Sequence, residues 1–505
     1  MKRTFTVGLL SMLVMGVSSI TAVAQGDRPS EAPETFETFA EWCLNQASLS
    51  PEAAHTVEVL LETAETQECA QAATRLNSLT ELTLELKSIS DVAPIASLTN
   101  LTKLDLYANP ISDITPLARL TNLTKLTIIP PAPDRNSLSD ISPLAELTDL
   151  TQLSLRRNQI SDLTPLAGLT NLTELDLTGN QVSDIAPLAN VTDLVYLFLE
   201  ENQISNVSPL ANLTNLSHLN LHSNPVEDIA PLANLMSLSE LTISSSQGID
   251  PYPLAGLNNL TYLSLEGSQI TDVTPLANLN NLTTLTLSDN QIMDVALLSN
   301  LTNLESLNLD NNQITDIIPL ANLTNLRGLH LSNNRIADIS LLANLTHLYR
   351  LSLDNTGITD ISPLANLTNL HDLRLNNNGI ADISPLSNLS NMVTLHLDNN
   401  QIADVSSLVN LTDLRYLHLD NNQIADISAL ADMTDLRDLY LSDNQTTDVS
   451  LLANLTSLDV LVLDNNQITD VSPLGSLPDL LRLQSVDNPL GDRTCPVQPE
   501  AICRF

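Results

Sequence analysis

Two histidines, His396 and His418, stand 22 residues apart, at one position of a pattern that itself repeats every 22 residues. If that pattern makes adjacent strands, the two imidazoles lie close enough to share a metal ion or a proton. No third ligand is evident beside them in the sequence, so no metal site is expected. An aspartate column, Asp354, Asp398, Asp420 and Asp464, is interleaved with Asn376 and Ser442. Solvation of a surface, rather than calcium binding, is the role expected of these carboxylates. The chain has no glycine-rich phosphate loop, no nucleophile elbow and no metal motif at ligand spacing. Neither catalysis nor a cofactor is expected.

The chemistry that remains is recognition by aromatic and cationic side chains. Counted from the leucine that opens each repeat, the third, fifth and seventh positions should point out of a sheet. Five of the seven tyrosines take these positions: Tyr107, Tyr196, Tyr262, Tyr416 and Tyr440. So do Phe198 and five of the eight histidines: His218, His222, His330, His396 and His418. Aromatic groups bury much area for little rotamer entropy, which enriches them in interfaces. Two candidate partner-binding patches emerge. A central one holds Tyr196, Phe198, His218, His222 and Tyr262, and a C-terminal one holds Arg350, Arg374, His396, Tyr416, His418 and Tyr440. A sheet surface also favours such residues for their β-propensity alone.

The element that must position them is LTELDLTGNQVSDIAPLANVTD, Leu172 to Asp193, and its copies. Leu175 and Leu177 alternate with Glu174, Asp176 and Thr178, the period-two signal of a short half-buried strand. Asn180 stands where the chain must turn inward, and its amide can bond backbone of its own and a neighbouring coil. Val182, Ile185, Leu188 and Val191 follow at three-residue spacing, which suits 3₁₀ turns. Pro187 fits the first turn of that leg, where no amide donor is needed. Repeats open at Leu79, Leu101, Leu123 and Leu150, then every 22 residues to Leu480, nineteen in all. One coil alone cannot offset its chain entropy, so the coils must stack into a solenoid with capped ends.

The stretches NQISDLTPLAGLTNLTELDL and NQITDIIPLANLTNLRGLHL closely resemble the 22-residue leucine-rich repeats of bacterial internalins and of phosphatase regulatory subunits with the same repeat class. The resemblance covers about four-fifths of the chain. It implies an α/β solenoid: a right-handed superhelix with a concave parallel β-sheet, short 3₁₀ or irregular convex segments, and protein recognition through the sheet. The matching residues are scaffold, and no wall-sorting motif or immunoglobulin-like tail follows the repeats, so the adhesive role of internalins is not carried over.

The ends depart from the repeat. Residues 1–24 read as a signal peptide: Lys2 and Arg3, an apolar run from Val7 to Val17, then Ala22-Val23-Ala24. Its apolar part is short for a membrane span. Residues 25–35 form a flexible lead-in, 36–78 a helical cap, 79–488 the repeat array and 489–505 a C-terminal cap. Removing the signal leaves 59 acidic residues against 18 basic ones, a balance that opposes nucleic acid and anionic membranes. The hydrophobic fraction, 43%, is ample for a core, yet only 3% of residues are aromatic, so the core should be aliphatic. Cys43 and Cys69 lie in the first cap, Cys495 and Cys503 in the last. Nineteen coils at ~4.8 Å per strand hold the caps something like 90 Å apart, whereas a disulfide needs Cα atoms within ~7 Å. The expected bonds are therefore Cys43–Cys69 and Cys495–Cys503, which fits an oxidising compartment.

Two irregularities remain. A five-residue insertion around Ile129-Pro130-Pro131-Ala132-Pro133 should leave the strand edge as a stiff loop. In the repeat from Leu238, Ser246 replaces the asparagine and Gly248 the inward isoleucine; Ser268 and Thr356 also break the asparagine column. The expectation is a monomeric secreted or periplasmic protein that binds a protein or peptide on its concave sheet, without membrane insertion once the signal is removed. The alternative is a structural or adhesive envelope or matrix protein with no single dedicated partner. An exposed aromatic patch favours the first; a uniformly polar sheet face would favour the second.

Overall fold

The computed structural model describes residues 36–131 and 138–505. The proposed signal, the lead-in and residues 132–137 of the proline-rich insertion lie outside the described residues. Each repeat supplies one short strand, and consecutive strands pair in parallel with equivalent residues opposite one another, as in Tyr196↔His218 and Leu197↔Leu219. Twenty strands form one continuous sheet. Nineteen, from Glu81–Thr83 to Arg482–Gln484, come one from each repeat. The twentieth, Cys503–Arg504, is contributed by the tail and pairs with Leu483 and Gln484. Opposite the sheet run 3₁₀ turns such as Ala186–Asn190, with proline in the first turn. Between the two lies an aliphatic core in which Leu175, Leu177, Val182, Ile185, Leu188 and Val191 are all buried.

The turn after each strand explains the polar column. Asn312 is buried. Its Nδ2 donates to Leu309 O at 3.0 Å in its own coil and to Leu287 O at 2.9 Å in the preceding one. Its Oδ1 accepts from Ile292 N, also of the preceding coil, at 3.0 Å. The same bonds recur at Asn180, Asn202 and Asn400. Asn109 belongs to this ladder too, although the insertion puts it out of numerical register. The residue before the asparagine is left-handed, at φ 73° for Gly179 and 56° for Asn311. That conformation is tolerated by glycine, asparagine and aspartate, and explains the recurrent Asn-Asn and Asp-Asn pairs.

A second polar column lies on the outer turn. Asp404 Oδ1 accepts Ser406 N at 2.8 Å, a bond repeated by Asp162, Asp338, Asp360 and Asp448. Hydrogen bonds from the backbone and side chain of Ser406 hold the Asp404 pKa below the ordinary aspartate value.

The first coil is covered by three helices, α1 (Phe39–Leu44), α2 (Pro51–Thr63) and α3 (Cys69–Asn77). Thr38 and Glu41 form a capping box at α1, and Ser50 caps α2 ahead of Pro51. Cys43 is bonded to Cys69 with Cα atoms 5.6 Å apart, tying α1 to α3. Thr56 Oγ1 donates to Asp91 O at 2.7 Å and joins the cap to the array. At the other end Cys495 is bonded to Cys503, with Cα atoms 5.8 Å apart.

Two expectations are corrected here. Ser246 is exposed rather than buried in the asparagine column. Ser245, one residue earlier, is buried and donates to Val226 O, while Ile249, one residue later than Gly248, is the inward side chain, so the turn is wider here although both flanking strands keep their register. Gly248 takes φ 89° within this wider turn. Ser332, an outward seventh-position residue by its number, is buried instead; its hydroxyl pairs with Ser352 Oγ and accepts Asp354 N.

Two measurements check the columns. Asn312→Ala should destabilise by ~1–3 kcal/mol in denaturant melts, because buried backbone groups of two coils lose their partners. Exposed Gln313→Ala should stay within ~0.5 kcal/mol. Asp404→Asn should lower stability at pH 7, since a depressed carboxyl pKa stabilises the fold at pH values above the unfolded one, near 3.8. The difference between wild type and variant should close as the pH falls below that value and the carboxylate protonates.

Candidate functional site

The nineteen repeat strands are three or four residues long, with the central leucine buried and most flanking side chains turned out. Parallel pairing without offset sets equivalent positions side by side, so the sheet face reads as rows running across the strands. The third-position row of the central region is Tyr196, His218, Glu240 and Tyr262. Tyr196 and Tyr262 are 40% and 36% exposed, enough to present their rings to a partner. The Tyr196 ring lies 4.6 Å from that of His218, whose Nε2 is 3.3 Å from a Glu240 carboxylate oxygen. Phe198 falls in the next row, between Asp176 and Asn220, and is half-buried rather than fully exposed.

His222 stands apart from this row. It lines a depression of about 500 Å³ with Ser244, Ser245, Ser246, Glu266 and Gly267, directly over the irregular turn. The central patch therefore divides in two: Tyr196, Phe198, His218 and Tyr262 on the strands, and His222 at the turn.

The C-terminal group is denser. In one row Arg374 faces His396, His396 faces His418, and His418 faces Tyr440. The rings stack, with centroids 4.1 Å apart between the histidines and 4.3 Å apart between His418 and Tyr440. Arg350 and Tyr416 flank this row at third positions and are exposed. Arg374 Nε leans toward Asp372 Oδ1 at 3.5 Å. His330 lies further along the same row, beyond Ser352.

Burial displaces the titration of these groups. It lowers the pKa of His396 to about 4, with Arg374 adding to the effect. His418 is lowered to about 4 by burial first, then by His396 and Arg374. Asp398 moves the other way, to about 6, through burial and the nearby Asp420 and Asp354 charges.

The aspartate column is not simply a solvated face. Asn376 N donates to Asp354 Oδ1, Asp420 N to Asp398 Oδ1 and Ser442 N to Asp420 Oδ1, at 2.6–2.8 Å. These carboxylates tie each strand end to the next coil. Burial raises the pKa of Asp354 and of Asp420. Asp398 also corrects the expectation that the two histidines lack a third partner. One donor atom from each of His396, Asp398 and His418 lies within 4.8 Å of the others.

Sequence reasoning missed a further ring pair. Tyr349 and His371 occupy second positions and stack at 4.1 Å, with the Arg350 guanidinium 5.9 Å from the tyrosine ring. Second positions hold threonine or serine in much of the N-terminal half, such as Thr151, Thr173 and Ser217, but not from Glu305 onward, and two adjacent rings in that column were the available signal.

A family model described as leucine-rich repeats (2 copies) matches residues 77–119, 148–234, 280–322, 324–432 and 434–476. The matches cover more than half of the chain, which belongs to the leucine-rich-repeat family. Its repeats are internalin-like: an internalin of Listeria monocytogenes (inlF) is 34% identical over 69% of this chain and 89% of its own, with a TM-score of 0.46. A leucine-rich-repeat protein of Leptospira interrogans is 24% identical over 72% of this chain and 92% of its own, with a TM-score of 0.58. The ectodomain of the Arabidopsis receptor kinase HAESA, solved with a peptide hormone, is 22% identical over 81% of this chain and 74% of its own, at a TM-score of 0.60. Comparison with curated proteins returns no match. Among the described residues no helix is long and apolar enough to cross a membrane.

Proposed function

We propose that this chain is an exported binding module, without catalytic activity, whose concave sheet holds a polypeptide partner. The observation that carries the reading is the exposure of Tyr196 and Tyr262 in one row of the sheet, with Phe198 half-buried beside Tyr196. The repeat needs none of these three side chains for its core. Their rings offer area to a partner at low entropic cost. His218 and Glu240 between the tyrosines add hydrogen-bonding capacity. Export is supported by the two disulfides, which persist in oxidising compartments, and by the signal-like residues 1–24.

The test is capture on immobilised protein from the native envelope or medium, then titration of the purified partner. Tyr196→Ala and Phe198→Ala should each weaken binding by at least ~1–2 kcal/mol while leaving the melting temperature nearly unchanged. If affinity is retained in both and lost in Tyr416→Ala, the C-terminal group is the contact surface and the central row is not.

A further inference from the structure

The three groups that converge at His396, Asp398 and His418 are left unused by partner recognition through the central row. We propose that they form a binding site for one divalent transition-metal ion of the Zn²⁺ class, open toward the concave side of the sheet. Two imidazoles and one carboxylate make a borderline nitrogen–oxygen donor set. That set suits zinc, whose three-ligand sites keep a fourth position for water or an outside ligand.

The geometry is set by the fold. His396 and His418 face each other in the ladder of adjacent strands, so their separation follows from the sheet spacing rather than from loop conformation. His418 is held on both faces, by His396 and by Tyr440. Asp398 is fixed through Oδ1, which accepts Asp420 N at 2.8 Å. That bond leaves Oδ2 free, 3.7 Å from His418 Nδ1. This gap is too long for a hydrogen bond, which needs ~2.7–3.2 Å. It is close to the ~3.3–3.4 Å between two ligand atoms of a tetrahedral ion with bonds of ~2.0–2.1 Å. The three donor atoms lie within 4.8 Å of one another.

The surrounding charge also favours a cation. Asp354 and Asp420 flank Asp398 in the carboxylate column, and both raise the cost of a buried negative charge there. A divalent ion would offset that cost. Arg374 is the opposing charge, but it leans toward Asp372 in the neighbouring row. The backbone bond to Asp398 serves as an outer support of the kind that orients metal ligands. Calcium and magnesium fit poorly, because they take six or more oxygen ligands or several waters rather than imidazole nitrogen.

The inference stands independently of any partner, and its test uses the full chain alone. Protein stripped with a chelator is titrated with Zn²⁺ by calorimetry, and with Co²⁺ by visible absorption. One ion per chain is expected, with the intense Co²⁺ bands of a four-coordinate site, and with no competition from millimolar Ca²⁺ or Mg²⁺. His418→Phe keeps the ring stack but removes the nitrogen donor. Asp398→Asn keeps an oxygen that can accept Asp420 N but removes the carboxylate. Each should lower Zn²⁺ affinity at least tenfold while melting like the metal-free wild type. His396→Phe should do the same. Zn²⁺ should raise the melting temperature of the wild type and of none of the three variants. Absence of stoichiometric binding, equal affinity in wild type and variants, or displacement by Ca²⁺ as from any acidic surface would each overturn the site.

Discussion

The structure depends on a buried amide. Every coil turns inward after its strand, and that turn leaves backbone N–H and C=O groups inside the solenoid, out of reach of water. Unpaired, each would cost ~1–3 kcal/mol. The asparagine at this turn satisfies groups of its own coil and of the coil before it, as Asn312 does for Leu309, Leu287 and Ile292. No coil is therefore complete until its successor is in place. That is the physical reason for a long array whose stability builds up coil by coil. It also explains why each end is covered, by α2 through Thr56 at the start and by the Cys503–Arg504 strand at the finish.

Breaks in the ladder show what the amide contributes. Thr356 keeps a bond to Leu353 O in its own coil, and Ser268 keeps one to Glu266 O, but neither side chain reaches back to a carbonyl of the preceding coil. Near Ser245 the turn is wider, with Ser245 and Ile249 rather than Ser246 and Gly248 turned inward, and the depression lined by His222 lies over that fault. A depression and an irregular stretch of the scaffold thus coincide, because a less constrained turn leaves space that a regular turn fills.

On the sheet face, register without offset converts a sequence period into contact. Residues 22 apart must lie side by side, so His396 and His418 stack, and Tyr196 meets His218. The carboxylate column follows the same rule. Asp354, Asp398 and Asp420 each receive an N–H from the next coil, which makes them part of the scaffold as well as part of the surface.

Most of the fold was legible in the residues alone, because the leucine, asparagine and proline columns recur with one period and each has a single physical role. The parallel strands, the 3₁₀ legs, the inward asparagine and the local disulfides all follow from that period and from where the cysteines stand. The rows of outward aromatics were legible for the same reason, since a strand alternates its faces. What the period could not decide were its exceptions and its third dimension. The wider turn at Ser245 depends on which of two serines reaches Val226 O, and the burial of Ser332 on the neighbouring Ser352. The approach of Asp398 to His418 depends on a carboxylate two positions along the preceding strand being turned back by a backbone bond. Position in the repeat assigns a face to a side chain. Only the packed coils decide which atoms on that face come within reach of one another.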